Sequence, residues 1–158
     1  MIEDIGLQNQ VEFLYRATAK QLYNLALYVI GNQRVAEQIT IDAFADAFVS
    51  IPDKSDAERF IKRSIKLLYR YGRKRHRKAG YSIMDIAFSE NAERWNSVGK
   101  NHLFEILNKL NYDERFILLL FCWQKFSAKE IANIMYLPLF FAKKRIFVTI
   151  NKAVAKLS

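Results

Sequence analysis

The chain has little of what stabilises a small secreted or β-rich protein. Its 158 residues include one cysteine, two prolines and five glycines. A single cysteine closes no internal disulfide, so a disulfide scaffold is excluded and a reducing, cytoplasmic setting is expected. Cys122 lies inside the apolar run ILLLFCW and is expected to be a buried, inert thiol. The scarcity of glycine and proline argues against a sandwich or barrel, and a hydrophobic share of 51% argues against disorder. No apolar run reaches the roughly 20 residues that cross a bilayer. The amino-terminal MIEDIGLQNQ is acidic and polar, unlike a secretory leader, so no membrane insertion is expected. His76 and His102 stand in no metal or triad spacing and no glycine-rich phosphate loop is present. Neither an enzyme, a metal nor a cofactor is therefore expected.

The most telling absence is of acid. From Arg59 to Lys78 there are ten Lys or Arg and no Asp or Glu. Arg59, Lys62, Arg63, Lys66, Arg70 and Arg73 recur at spacings of 3, 1, 3, 4 and 3, which on a helix gathers them within an arc of about 100°. Phe60, Ile61, Ser64, Ile65, Leu67 and Leu68 fall on the opposite side. Surface helices usually mix signs to gain i,i+4 pairs; a single-sign stripe points to a polyanion, and nucleic acid is the usual one. A second acid-free stretch, residues 139–158, carries five bases, whereas residues 35–58 carry six acids and only Lys54. Two basic surfaces and one acidic surface suggest two contacts with nucleic acid and one with another partner.

Hydrophobic periodicity predicts an all-α chain of two small domains. Leu22, Leu25, Ala26, Val29 and Ile30 mark a helix from about Val11 to Ile30, stopped at Gly31-Asn32. A second helix, about Val35 to Val49, turns Ile39, Ala43, Ala47 and Phe48 inward and Glu37, Asp42 and Asp46 outward. The basic helix starts near Ser55, after a break at Ser50–Asp53. Residues 79–100 lack a clean period and read as a linker between a domain at 1–78 and another at 101–158. In the second, His102–Leu110 and Asp113–Gln124 read as helices parted at Asn111-Tyr112. Ser127 and Glu130 form a capping box, flanked by the staple pair Phe126 and Ile131. The helix they start ends near Met135, and Leu137-Pro138 turns into a last helix reaching about Lys156. A short helix, a tight turn and a longer basic helix make a helix-turn-helix within a four-helix domain.

These stretches resemble the small two-domain sigma factors of bacterial RNA polymerase, of the extracytoplasmic-function type. Within Gln21–Phe48, Leu22, Tyr23, Leu25, Ala26, Gly31, Ala36, Glu37 and Phe44 match that family's L-Y-x-L-A…G…A-E…F pattern without a gap. Within Leu110–Ile146, Arg115, Ser127, Glu130, Ile131, Ala132, Leu137, Pro138, Lys143 and Arg145 match its R…S-x-x-E-I-A…L-P…K-x-R pattern. The family's acidic residue and glutamine after A-E are here Gln38 and Ile41, its turn glycine is Tyr136, and its Gly-Thr is Phe140-Phe141.

The resemblance implies roles. Glu37, Gln38, Asp42 and Asp46 would bind core RNA polymerase, with Phe44 and Phe48 packing. Arg59, Lys62, Arg63, Lys66, Arg70, Arg73 and Lys74 would hold the melting minus-ten element of promoter DNA, and loop 51–56 would capture an unstacked base. Tyr69, at the edge of the arc, either stacks on a base or is buried. Lys143, Lys144, Arg145 and Lys152 would meet the minus-thirty-five element. On the last helix Ala142, Ile146, Thr149, Ile150 and Ala153 face inward, while Phe140, Phe141, Lys144, Val148, Asn151 and Lys152 face out. So greasy a reading face either contacts thymine methyls or, the favoured reading, is covered by a partner such as an anti-sigma factor. Gln38 and Ile41 keep open a second reading, a DNA-binding regulator of sigma-like fold that does not engage polymerase productively. A single-stranded RNA adaptor would fit the charge alone.

Overall fold

A computed structural model of the chain describes residues 2–79 and 105–157, and all the regular structure among them is helical. Helix α1 spans Ile2–Ile30, α2 Gln33–Ser50 and α3 Ala57–Ala79. After a helical turn at residues 105–108, α4 spans Tyr112–Leu118 and runs into a π-helical turn, Leu119–Trp123. Helices α5, Ala128–Met135, and α6, Leu139–Leu157, complete the chain. The expected linker at 79–100 lies outside the described residues except for Ala79, the last residue of α3.

Local chemistry sets most boundaries. Gly31 takes a left-handed conformation at φ 79° and closes α1, as a C-terminal glycine does at no steric cost. Asn32 then caps α2, its side-chain oxygen accepting the Val35 N–H at 3.1 Å. Extended Ile51 ends α2 just before Pro52. Asp56 caps α3 by accepting the Arg59 N–H at 3.0 Å. The Ser127–Glu130 capping box forms in both directions, at 3.1 and 3.2 Å, and an unforeseen one joins Asn111 to Glu114 at 2.9 and 3.0 Å. Helix α1 begins at Ile2, well before the expected Val11.

α1, α2 and α3 pack on one another, while α6 packs on both α4 and α5. Both groups share one continuous core that includes Leu25, Tyr28, Phe60, Leu68 and Phe116. Each fully buried side chain of this size contributes about 1.5–3 kcal/mol. The inward residues expected of α3 and α6 are buried, apart from half-buried Ile61 and Ile150. Cys122 departs from its expectation. The π turn inserts a residue into the helical register, and Phe121, Cys122 and Trp123 are exposed. Neighbouring side chains still desolvate the thiol and push its pKa up.

Candidate nucleic-acid interface

The basic arc of α3 lies along the carboxy-terminal helices, with Lys62, Arg63 and Lys66 half-buried and Arg59, Arg70 and Arg73 exposed. Lys62 Nζ is 3.0 Å from Glu130 Oε2 of α5 and 3.3 Å from Glu58 of its own helix. Hydrogen bonding to Glu130 raises the Lys62 pKa, and the bond from Lys62 lowers that of Glu130. Lys66 donates to Asn133 at 2.9 Å and stands 4.2 Å from the centroid of the Tyr136 ring. Arg70 donates to the Tyr136 hydroxyl and lies 5.3 Å from the same ring centroid. Arg73 is 3.8 Å from Asp113 at the start of α4. Of the remaining positive groups here, Arg59 and Lys74 are exposed, and half-buried Arg63 donates to Ser50 Oγ at 3.3 Å.

Tyr69 is 4% exposed, which resolves its two readings for this arrangement of the chain. Its hydroxyl donates to Asp113 at 2.7 Å, and its ring meets Phe116 edge-on at 5.1 Å. Burial, then the bond to Asp113, raises its pKa. Beside it, the buried Tyr112 hydroxyl donates to the Tyr69 carbonyl at 2.9 Å. That ring approaches where α3 carries Gly72, and a Cβ there would stand 2.3 Å from the Tyr112 hydroxyl. His76 stacks on Tyr112 with ring centroids 5.4 Å apart. Arg115 completes the seam from within: 5% exposed, it donates to Leu107 O at 2.8 Å and across to Val29 O at 2.9 Å.

The second basic surface, on α6, is open. Phe140, Phe141 and Phe147 are 73%, 53% and 67% exposed. Lys143, Lys144, Arg145 and Lys152 are exposed as well. Arg145 reaches Asp113 at 3.4 Å and Lys152 reaches Glu114 at 2.8 Å. Asp113 therefore receives Arg73 from one basic helix and Arg145 from the other. These residues line a cleft of about 630 Å³ together with Arg70, Lys74 and Tyr136.

On α2, Glu37, Gln38, Asp42 and Asp46 are exposed on one flank, where Asp46 accepts the Tyr71 hydroxyl. Ile41 is 66% exposed beside them. The loop before α3 is braced by Lys54, which donates to the carbonyls of Phe48 and Ile51. Its Asp53 accepts the Ser55 N–H at 3.0 Å, and hydrogen bonds from Ser55 lower its pKa.

Sequence reasoning did not identify Tyr112, Asp113 and Gly72 as seam residues, nor Phe147 as exposed. One signal was available: a glycine in the interior of a strongly helical run asks for a close neighbour. Among the described residues no group of His, Cys, Asp and Glu is arranged to hold a metal ion, and no helix is long and apolar enough to cross a membrane.

No known protein-family profile and no curated protein matches the chain. A solved structure does: the sigma factor RpoE from Bartonella quintana, in complex with the anti-sigma factor NepR. The likeness has a TM-score of 0.63 at 17% sequence identity, and it covers 96% of this chain and 96% of that one. The protein thus shares the all-helical fold of that sigma factor.

Proposed function

We propose that the protein is a sigma-factor-like initiation protein that binds core RNA polymerase and directs it to promoter DNA from the cytoplasm. The observation that carries this reading is the pair of acid-free basic runs, residues 59–78 and the last helix α6, within a sigma-factor-like fold. It divides the chain into a polymerase- and minus-ten-binding domain at 1–78, a linker at 79–100 and a minus-thirty-five-binding domain at 101–158.

In this reading Glu37, Gln38, Asp42 and Asp46 meet the polymerase. The cations of α3 hold phosphates of melted DNA, whose charge dominates such contacts. Lys143, Lys144, Arg145 and Lys152 position α6 in the major groove, and Phe140 and Phe141 touch thymine methyls or an anti-sigma factor. The solved relative was bound to such a partner, and three exposed phenylalanines exceed what thymine contacts need. The protein itself does no covalent chemistry; it supplies position and charge.

A second reading, a DNA-binding regulator that leaves polymerase unengaged, is favoured by exposed Ile41 and neutral Gln38 on the polymerase-facing flank. Run-off transcription with purified core polymerase on a genomic library separates the two. Specific initiation only when the chain is present supports the first reading, and none, with DNA binding intact, supports the second.

A further inference from the structure

The cleft of about 630 Å³ between α3 and the carboxy-terminal helices holds a strong excess of one charge. Arg70, Arg73 and Lys74 enter it from α3 and Arg145 from α6, and among the described residues Asp113 is the one carboxylate on its walls. Four cations against one anion in so small a space repel one another, and more strongly where protein displaces water.

The contacts that relieve this repulsion are incomplete. Asp113 stands 3.8 Å from Arg73 and 3.4 Å from Arg145, and it also accepts the Tyr69 hydroxyl at 2.7 Å. The two arginine side chains remain 45% and 50% exposed. Arg70 donates to a neutral group, the Tyr136 hydroxyl, and Lys74 is exposed. The neighbouring cleft between α3 and α5, about 380 Å³, is also lined by cations but is better closed. There Glu130 meets Lys62 at 3.0 Å and Asn133 meets Lys66 at 2.9 Å.

The walls of the larger cleft offer two chemistries side by side. Guanidinium groups match phosphate oxygens in charge and in planar geometry. Arg73 and Arg145 approach opposite oxygens of a single carboxylate, so they stand close enough to grip neighbouring phosphates of one small molecule. Met135, Leu137 and the Tyr136 ring supply apolar and aromatic surface next to them, which a base and ribose need beside their phosphates. A cleft of this volume lies within the range that takes such a ligand.

We propose that the cleft binds a nucleoside diphosphate or triphosphate. Its phosphates lie on Arg70, Arg73, Lys74 and Arg145, and its nucleoside lies against Tyr136, Met135 and Leu137. Asp113 keeps the two arginines poised and yields them to the greater charge of the phosphates. Because the site is built from α3 on one side and α6 on the other, the ligand ties them together and raises the melting temperature by mass action. The site stands independently of the promoter-binding reading, although both draw on the same cations.

Isothermal titration of the chain with ADP, pyrophosphate and sulfate, at equal ionic strength and without divalent metal, tests the site. ADP should bind one to one, about tenfold more tightly than pyrophosphate, and sulfate should not saturate. Arg73→Ala and Arg145→Ala should each weaken ADP binding about tenfold, the loss of one charge-assisted contact, with helicity unchanged. Lys20→Ala removes an exposed cation of α1 outside the cleft and should bind as the parent does. Sulfate matching ADP, or an equal loss in Lys20→Ala, overturns the site in favour of diffuse attraction between a basic protein and any anion. Pyrophosphate matching ADP overturns the nucleoside part of the proposal. Neither result alters the promoter reading, which run-off transcription decides separately.

Discussion

Helices α3 and α6 carry the chain's two acid-free basic runs, yet they sit in opposite surroundings. On α3 the cations share one arc, the apolar residues fill the other, and the arc is met by Glu130, Asn133, Tyr136 and Asp113. On α6 apolar side chains occupy both faces, three phenylalanines point outward, and Lys143 and Lys144 make no ion pair among the described residues. The cleaner pattern belongs to the covered helix and the untidy one to the open helix. Angular sorting of charge shows that a face needs a counter-surface. It does not say whether that surface is nucleic acid or another part of the same chain, because carboxylates, amide oxygens and tyrosine rings satisfy cations as phosphates do.

The severest way to break this comparison is at Arg115, which joins the seam to the core. Arg115→Ala leaves the Val29 and Leu107 carbonyls without their donor. The expected loss is about 3 kcal/mol in urea unfolding, the cost of two buried acceptors left unmet. Two separate unfolding transitions in the parent protein would mean that the seam is not part of one cooperative body.

Next in size is the double reversal Lys66→Glu with Arg70→Glu. It removes the contacts to Tyr136 and should weaken DNA binding and lower the slope of log affinity against log salt by about 2. An unchanged salt slope would take α3 out of the DNA contact.

A smaller effect is expected from His76. Burial, then Arg115, lowers its pKa from the ordinary 6.5, with Asp113 opposing. The unfolded chain therefore takes up this proton first, so the stability is fully present above pH 6.5 and is lost as pH falls toward the lowered native value. The melting temperature should decline from neutral to mildly acidic buffer, and His76→Gln should flatten that decline. The smallest effect belongs to the open helix: Phe141→Ser should change stability by no more than about 0.5 kcal/mol while raising solubility. A large destabilisation would place Phe141 in the groove it lines with Asp113, Glu114 and Ile117, and α6 would no longer be the open partner in the comparison.

Features that depend on neighbours within one turn were legible in the sequence. The Ser127–Glu130 box, the Gly31 stop and the inward residues of α3 and α6 follow from 3.6-residue periodicity and from orphan N–H groups. The exposure of Cys122 was not legible, because a π turn changes which way an apolar run faces. Tyr69 was poised between stacking and burial, and what buries it are Asp113 and Phe116, 44 and 47 residues along the chain.

By itself the sequence determined that this chain is helical, that one helix separates cations from apolar groups, and that a short capped helix turns into a long basic one. Those properties are set by residues three and four apart. Only the tertiary structure decided what the cations touch. That depends on Gly72 admitting Tyr112 and on Asp113 drawing in Arg73 and Arg145, contacts between residues dozens of positions apart that no local period encodes.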